Sequence, residues 1–264
     1  MASLRARDGC ELFASVAGDG EPLFLIPGLN GSATFWNALV PLLAPRFTII
    51  LMDHRGTGRS ARPEQTYSVE LLARDAIDVL DHFGIPSAHI VGHSTGGAIA
   101  QVMAIEQANR VGYMVLSGSW GSPDPQFRLL FEARLAILNA AGPQAHAAMG
   151  YYLACPPAWI RDHFADVEAA IARANDDVAP LTVAAERVRM ILRFDRSADL
   201  HRIAAPTLVV AAADDAIIPF HMSERLLRAI PGAQLTVLQG GHFFPRVDPQ
   251  AFADAVAAFI ETGD

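Results

Sequence analysis

The serine at position 94 stands in a G-x-S-x-G sequence, a pattern that can turn a serine hydroxyl into a nucleophile. An apolar run at residues 89–91 precedes the motif, and a helix-like run at residues 98–107 follows it. At such a strand-to-helix turn the serine occupies a strained elbow, and the flanking glycines are needed because a Cβ atom would collide with the neighbouring strand and helix. The positive N-terminus of the new helix points at the same spot. We therefore predict Ser94 as a nucleophile; the alternative is a Gly/Ser-rich turn without chemistry.

An acid for this serine is expected further along the chain. A serine hydroxyl is a weak nucleophile, so it needs a general base, and the base needs a carboxylate to orient it. On a serine elbow of this kind the order along the chain is serine, acid, histidine. Asp214 and Asp215 follow the apolar run at residues 207–211, which we predict to be a strand. We choose Asp215 because its D-x-x-x-P spacing to Pro219 is the usual register before the next helix; Asp214 is the rival, with a turn or helix-capping role as its alternative.

The candidate base is His242, which lies in a Gly-Gly-His turn after the predicted strand at residues 234–238. Glycines give the backbone the freedom to bring the imidazole over the serine, and the position is the third in the required order. His93 must point away from the serine hydroxyl, so we interpret it as a packing residue. Three further histidines are assigned to surface or local structural roles: His54, His201 and His221.

Two backbone N–H groups are predicted to form an oxyanion hole, the pair of donors that stabilises negative charge on the attacked carbonyl oxygen. Each such donor lowers the barrier by ~3 kcal/mol. The first is the N–H of Thr95, directly after the serine. The second should come from the loop at residues 27–31, and we choose the N–H of Leu29 because the preceding Gly28 lets the backbone turn inward. The alternative is an ordinary strand-to-helix loop without a role in catalysis, which would have the same kinds of residue.

A second glycine-rich segment, residues 53–60, superficially looks like a phosphate-binding loop. Its glycine spacing does not match G-x-G-x-x-G, and it lacks the lysine of a P-loop. We therefore predict that Asp53 and Arg55 are structural residues that fix this loop at the edge of a sheet.

Composition excludes several other classes of protein. The chain has 264 residues, of which 52% are apolar and 18% charged, and its net charge is −8. This composition suits a well-packed enzyme core, and the absence of a basic cluster argues against nucleic acid as a partner. All 20 basic residues are arginines, which excludes Schiff-base chemistry on a lysine. Cys10 and Cys155 lie far apart and are interpreted as idle thiols in a reducing compartment, and no H-E-x-x-H or similar spacing occurs, so we predict no metal and no cofactor.

Neither an export signal nor a membrane span is predicted. The N-terminal segment lacks an apolar stretch, and no run approaches the ~18 apolar residues that are needed to cross a bilayer. We expect a cytoplasmic protein that acts on a small molecule and contacts no membrane. The sequence leaves open whether the protein forms a homodimer.

Strand-like and helix-like runs alternate in the first and last parts of the chain. Strands that are apolar throughout and separated by helices indicate an α/β fold, with a mostly parallel sheet covered on both faces. A hairpin is predicted across Asp8-Gly9. The predicted strands lie at residues 23–26, 47–52, 89–91, 113–116, 207–211 and 234–238. The predicted helices lie at residues 35–43, 68–83, 98–107, 219–230 and 248–260.

The alternation stops after Trp120, because residues 122–196 contain only helix-like segments. A helical block inserted into such a sheet is most simply a cap over the carboxyl ends of the strands, where ligands bind in open α/β sheets. We predict a core at residues 1–121 and 197–264 and a helical cap at residues 122–196.

Together these residues resemble the α/β-hydrolase superfamily across essentially the whole chain. The matching elements are the serine elbow, the D-x-R-G-x-G-x-S run at residues 53–60 and the G-H…D-P…F ending at residues 241–252. Within the superfamily the chain is similar to the four-helix-capped 3-oxoadipate enol-lactonases and, more closely, to the aminoacrylate hydrolases of pyrimidine breakdown. Many members have His-Gly where this chain has Pro27-Gly28, which keeps the backbone donor but removes a polar side chain. The closer similarity covers residues 26–32, 55–58, 152–159 and 213–219.

The resemblance implies a serine hydrolase with the α/β-hydrolase fold. Ser94 would attack an acyl carbon, His242 would take its proton, and Asp215 would stabilise the imidazolium until water releases the acid. The expected substrate is a small ester, enol-lactone, amide or carbamate. The same triad can also serve a C–C bond hydrolase, a hydroxynitrile lyase or a cofactor-free oxygenase, and a non-catalytic binding protein would keep the same fold.

The substrate pocket is expected to favour short acyl groups and to be lined by aromatic residues, each of which is equally a candidate core residue. These are Trp120, Phe127, Phe131, Tyr152, Trp159 and Phe243. Arginines of the predicted cap are candidates to pair with a substrate carboxylate, the alternative being that they lie on solvated helix faces. They are Arg128, Arg134, Arg187, Arg189 and Arg193.

Overall fold

The computed structural model describes residues 2–29, 31–178 and 180–263. Asn30, part of the predicted oxyanion loop, lies outside the described residues. Within the described ranges the strands are β1 (Ala2–Arg5), β2 (Glu11–Ala17), β3 (Glu21–Ile26), β4 (Phe47–Asp53), β5 (Ala88–His93), β6 (Val111–Ser117), β7 (Thr207–Ala212) and β8 (Gln234–Leu238). The α-helices are α1 (Val40–Leu43), α2 (Val69–His82), α3 (Thr95–Glu106), α4 (Pro125–Ala154), α5 (Pro157–Asp162), α6 (Phe164–Val178), α7 (Leu181–Arg193), α8 (Phe220–Ala229), α9 (Phe244–Val247) and α10 (Pro249–Thr262).

The strands form one sheet in the order β1-β2-β4-β3-β5-β6-β7-β8. Strand β2 is antiparallel to β1 and β4, and the pairs from β4 through β8 are parallel. The hairpin across Asp8-Gly9 is present, with Leu4 opposite Leu12. The predicted α/β fold with a mostly parallel sheet is thereby confirmed.

Both faces of the sheet are covered, which explains why its central strands are apolar throughout. Side chains alternate between the two faces of a strand. In β3, Leu23 and Leu25 pack into the cluster that contains residues of α1 and α10, whereas Phe24 and Ile26 pack into the cluster that contains residues of α2, α3 and α8. Full burial of one such side chain contributes roughly 1.5–3 kcal/mol.

The prediction of one continuous helix over residues 35–43 is wrong. The structure has a 3₁₀ turn at Ala33–Trp36 and the separate short helix α1 at Val40–Leu43. Pro41 lies in the first turn of α1. Proline has no N–H and is tolerated in a first turn but not in a helix interior, so the chain restarts its helix there.

The loop at residues 53–60 is tied to the core by charged side chains, as predicted. The Asp53 carboxylate accepts the N–H of Ala33 at 2.8 Å and the N–H of Arg59 at 2.9 Å. The buried Arg55 guanidinium donates to Asp75 at 2.6 Å and to Asp8 at 2.7 Å. These acidic partners raise the Arg55 pKa further above its already high ordinary value despite burial.

The segment between β6 and β7 contains α4 to α7 and, in the part of it that the structure describes, no strand. Helix α4 is broken at Gly142, where φ is 83°. Arg134 Nη2 lies 3.2 Å from His146 Nε2 across the break, although residues so far apart in a straight helix would be separated by roughly 18 Å along the axis. The two halves of α4 therefore fold back on each other. No helix in the described ranges is long and apolar enough to cross a membrane.

Candidate active site

Ser94 occupies a strained turn between β5 and α3. Its φ is 54° and its ψ is −116°, and it is the one non-glycine residue with positive φ in the described ranges. Such a conformation costs of order 1–3 kcal/mol and persists only where the surroundings enforce it. Here the Ser94 N–H donates to the Ser117 carbonyl at 2.8 Å, and Ser119 Oγ donates to the Ser94 carbonyl at 2.9 Å.

The glycines of the motif are dictated by crowding. A Cβ atom on Gly92 would collide with the backbone of Gly96, and one on Gly96 would collide with the Ile26 carbonyl of β3. A Cβ atom on Gly97 would approach the Ser119 Cβ to 2.5 Å. The turn is therefore pressed between β3 and the end of β6, as the motif predicts.

His242 is hydrogen-bonded to Asp215, not to the rival Asp214. The distance from His242 Nδ1 to Asp215 Oδ2 is 2.7 Å, and both side chains are buried. With Nδ1–H donating to the carboxylate, Nε2 is left as a free acceptor. Asp214 instead accepts the N–H of Gly240 at 3.0 Å, so this carboxylate fixes the turn that carries His242.

His242 and Ser94 both lie near the carboxyl ends of the central strands. The His242 ring lies 4.8 Å from the ring of His93, the residue directly before Ser94. Gly118, at the end of β6, passes so close that a Cβ atom there would be 3.4 Å from both Asp215 Oδ2 and His242 Nδ1. Among the described residues no hydrogen bond joins Ser94 Oγ to His242, whose side-chain bond is the one to Asp215.

Two backbone N–H groups near Ser94 have no acceptor in the described part of the chain. A Cβ atom on Gly28 would lie 3.3 Å from the Ser94 Cβ, so the loop after β3 passes beside the serine. The N–H of Leu29 in this loop finds no acceptor among the described residues. Thr95 is the first residue of α3, and its N–H likewise has no acceptor there, as expected at a helix start. Whether these two N–H groups form an oxyanion hole stays a prediction.

His93 is a packing residue, as interpreted from the sequence. Its Nδ1 lies 3.0 Å from Ser117 Oγ, and its ring stacks on Phe35 with 4.8 Å between ring centroids. Burial and the neighbouring His242 hold the His93 pKa well below its ordinary value. The ring is therefore neutral near pH 7. His54 does not lie on the surface, which was one of its two predicted roles. It is buried in the loop that follows β4.

The predicted pocket residues fall into different environments. Trp120, Phe127 and Phe131 form a buried cluster of tilted rings, with centroid distances of 4.8 Å and 4.4 Å between successive rings. Phe243 packs 6.1 Å from the His242 ring. Trp159 stacks on His163. Whether these five residues line the substrate pocket stays a prediction.

Tyr152 differs from the other candidates, because it is 73% exposed, and its place in the pocket stays a prediction. Adjacent residues of a helix point about 100° apart. The neighbouring Tyr151 turns inward and packs against Phe243 at 5.8 Å between ring centroids. Tyr152 is thereby directed to solvent.

The candidate arginines divide into an exposed and a buried set. Arg128, Arg189 and Arg193 are exposed, and the last two pair with Glu186. Arg134 is buried against His146, and no acceptor for its Nε lies among the described residues. Arg187 is buried, and its Nη1 and Nη2 donate to acceptors of the core, which argues against a role in pairing with a substrate carboxylate.

No group of three or more acidic, histidine or cysteine side chains that could hold a metal ion is found among the described residues. The sequence reasoning missed Gly118, Phe35 and the core contacts of Arg187. A Ser-Gly-Ser sequence at residues 117–119, directly after a strand, was the available signal for Gly118. No local pattern marks the other two, because their partners are distant in sequence.

A strained serine elbow on an eight-stranded, mostly parallel sheet, with a histidine and a carboxylate at the same edge, defines the α/β-hydrolase class. The sequence profile of the alpha/beta hydrolase fold matches residues 21–249. The chain belongs to this family.

Individual relatives refine this comparison. The "Putative carbamate hydrolase RutD" of Caulobacter sp. (strain K31) is 35% identical over 252 residues, covering 95% of this chain and 94% of the relative. A hydrolase from Pseudomonas aeruginosa PA01 superposes with a TM-score of 0.89 at 28% identity, covering 98% of this chain and 97% of the other. The enol-lactonase from Burkholderia xenovorans LB400 superposes with a TM-score of 0.88 at 22% identity, covering 96% of this chain and 98% of the other. At this identity the superposition shows only that the two proteins share a fold.

Proposed function

We propose that this protein is a serine hydrolase that acts through an acyl-enzyme on a small ester, enol-lactone, amide or carbamate. The observation that carries the proposal is the 2.7 Å hydrogen bond from His242 Nδ1 to Asp215, formed beside the strained elbow of Ser94. This arrangement supplies a nucleophile, a base and an orienting carboxylate in the required chain order.

The proposed reaction begins when Ser94 Oγ attacks the carbonyl carbon of the substrate. His242 Nε2 takes the hydroxyl proton, and the Asp215 carboxylate stabilises the imidazolium that results. The carbonyl oxygen becomes an oxyanion held by the N–H groups of Leu29 and Thr95. His242 then gives its proton to the leaving group, and water activated by the same histidine releases the acid and restores Ser94.

We also propose that residues 122–196 act as a cap over this site and that residues 1–121 and 197–264 are the catalytic core. Two contacts of the His242 turn with the end of α4 support this assignment. The Phe243 N–H donates to the Ala154 carbonyl at 2.8 Å, and a Cβ atom on Gly241 would approach the same carbonyl oxygen to 2.6 Å. Helix α4 of the cap segment therefore ends against the two residues that flank the proposed base.

Two observations favour a small substrate. The RutD relatives are named as carbamate hydrolases, which favours a small acyl or carbamoyl group. The side chains of Ser94 and His242 are largely enclosed, which also favours a small substrate over a long acyl chain.

A phosphonate-labelling experiment combined with a substrate panel tests the proposal. A fluorophosphonate probe should modify Ser94 in the wild type and leave Ser94→Ala unmodified, because only an activated serine reacts. The panel should hold short esters, enol-lactones, carbamates and amides, with a cyanohydrin and a vinylogous diketone to detect lyase or C–C hydrolase activity. Labelling elsewhere, or turnover of only the last two compounds, would contradict the proposed function; no reaction at all would favour a binding protein.

A further inference from the structure

A cavity of about 250 Å³ lies at the neck where the cap segment (residues 122–196) joins the core. It is lined by the connection that enters the cap segment after β6, by the connection that leaves it, and by α8. The two connections are hydrogen-bonded to each other, since the Arg196 N–H donates to the Gly121 carbonyl at 2.9 Å. None of the three proposed catalytic residues, all of which the structure describes, lines this neck cavity. The cavity is therefore separate from the proposed active site.

The buried part of the lining is apolar. Leu200, Met222 and Leu226 are buried there, and so is the indole of Trp120. The Trp120 Nε1–H has no acceptor among the described residues, although a buried indole N–H usually finds one. The lining thus offers an apolar wall for the body of a ligand, together with one residue whose N–H is unused.

The exposed part of the lining is basic. Arg225 and Arg228 lie three residues apart on α8, a spacing that places both on one side of the helix. Arg225 Nη2 donates to the hydroxyl of the buried Ser122 at 2.8 Å, so this guanidinium lies against the neck. Like charges at this helical spacing repel each other. An anion that contacted both guanidinium groups would remove that repulsion.

No carboxylate in the described part of the chain forms an ion pair with either arginine. Glu224 precedes Arg228 by four residues, a spacing that favours an ion pair on a helix, yet the described ion pairs do not join them. No acidic residue is among the described residues that line the cavity. Two positive charges at its opening are therefore left without a counter-charge.

The carboxylates on the connection that leaves the cap segment already have partners. Asp199 pairs with Arg196 and Arg202. Asp195 accepts the hydroxyl of Ser197 at 2.6 Å, so this lining hydroxyl has given its proton to another acceptor. The donors that remain for a ligand are the guanidinium groups of α8.

We propose that the neck cavity binds a small organic anion, whose carboxylate or phosphate head pairs with Arg225 and Arg228 and whose apolar body packs against Trp120 and Leu226. Guanidinium groups recognise both kinds of head through paired N–H donors. The cavity is smaller than the ~300–1,000 Å³ of pockets for drug-sized ligands, which limits the ligand to about one ring or a short chain. This inference does not depend on the proposed function, because it uses no catalytic residue.

Isothermal titration calorimetry with benzoate, phenyl phosphate and benzyl alcohol tests the proposal. The three probes share one ring, and only the first two are anions. At least one anion should bind at one site per chain, and the tighter of the two identifies the preferred head. Benzyl alcohol should bind at least about tenfold more weakly, because it cannot form a charge-assisted pair with a guanidinium.

Single substitutions locate the binding site. Arg225→Met and Arg228→Met should each weaken binding of the preferred anion by about tenfold. Arg228 forms no hydrogen bond with another described residue, so Arg228→Met should leave the Tm unchanged even if Arg225→Met lowers it. Arg202→Met is the matched control, because it removes the same charge from a nearby residue that pairs with Asp199 and does not line the cavity. Its affinity should stay within about twofold of the wild type.

The indole ¹⁵N–¹H signal of Trp120 provides a second readout. Assigned through single Trp→Phe variants, this signal should shift during the titration with the Kd found by calorimetry, whereas the signal of Trp36 should not. The proposal would be overturned if neither anion bound with a Kd below about 10 mM, or if benzyl alcohol bound as tightly as the anions. Unchanged affinity in Arg228→Met, or a fixed Trp120 signal at saturation, would place the anion elsewhere and equally reject the neck cavity as its site.

Discussion

Asp215 is held from one side and holds His242 from the other. Its Oδ1 accepts the N–H groups of Ile217 and Ile218, each at 2.8 Å, while its Oδ2 accepts His242 Nδ1–H at 2.7 Å. Backbone donors in a fixed turn therefore set the direction of the carboxylate, and the carboxylate sets the direction and tautomer of the imidazole. Asp214, one residue earlier, is turned toward Gly240 and cannot serve in the same place.

Asp215→Asn should impair turnover much more than Asp214→Asn. The amide keeps the shape of Asp215 but favours the wrong tautomer of His242, so kcat should fall by roughly 10³- to 10⁴-fold. Asp214→Asn still offers a carbonyl oxygen to Gly240 and should lose less than about tenfold. Steady-state kinetics on a short ester decide the matter, and equal losses in the two variants would refute the assignment of Asp215.

Gly96→Ala should destabilise the fold far more than Gly84→Ala. A Cβ atom at Gly96 collides with the Ile26 carbonyl, which is backbone and cannot move aside cheaply, so we expect a loss of about 3 kcal/mol or more. Gly84 also has positive φ, 67°, but nothing lies within 4 Å of a Cβ there, and the left-handed conformation alone costs about 1–2 kcal/mol. Urea unfolding measures both, and similar losses would show that the elbow is less crowded than described.

Stability should fall as the pH drops from about 6.5 to 4, in part because of His146. Burial, with the nearby Arg134 adding repulsion, lowers the His146 pKa to about 4. The folded state therefore holds His146 neutral, and the stability present above the unfolded pKa is lost as pH falls toward the folded pKa. A shift of this size corresponds to at most about 3 kcal/mol.

The variant that checks this effect is His146→Gln, which cannot gain a proton. Urea unfolding across this pH range should show a weaker pH dependence for His146→Gln than for the wild type, by up to one proton. His201→Gln, at an exposed position, serves as the control and should retain the wild-type slope. Identical slopes for wild type and His146→Gln would contradict the prediction.

Short acyl esters should be better substrates than long ones. The proposed nucleophile and base are largely enclosed, and the cap segment ends against the His242 turn at Ala154, which leaves little room for a long chain. The value of kcat/KM for a series of p-nitrophenyl esters should therefore decline from short to long acyl groups. A steady rise toward dodecanoyl esters would overturn the small-pocket prediction.

Local sequence patterns predicted the elements that depend on neighbours along the chain. The elbow at Ser94 and the strands β3 to β8 follow from glycine placement and apolar runs, because those constraints act within a few residues. The choice of Asp215 over Asp214 came from spacing to Pro219, and the structure brings the chosen residue to His242.

Features that depend on distant partners were not predictable in this way. The sequence shows that His54 and Arg187 are polar, but their burial together depends on how α7 docks against the core loops. Tyr152 was chosen for its aromatic ring, and its exposure depends on the rotation of α4 about its axis. The interruption at Pro41 was readable from the sequence and was outweighed by apolar spacing at residues 35–43.

The central claim is that Ser94 forms a covalent acyl-enzyme, and quenched-reaction mass spectrometry tests it most directly. Wild-type protein mixed with a p-nitrophenyl ester and quenched in acid within the first turnover should carry one acyl group, located by peptide mapping on Ser94. Ser94→Ala should fold normally, carry no acyl group and lose about 10⁴-fold or more in kcat. An acyl group on another residue, or a Ser94→Ala variant with activity within about tenfold of the wild type, would contradict the account.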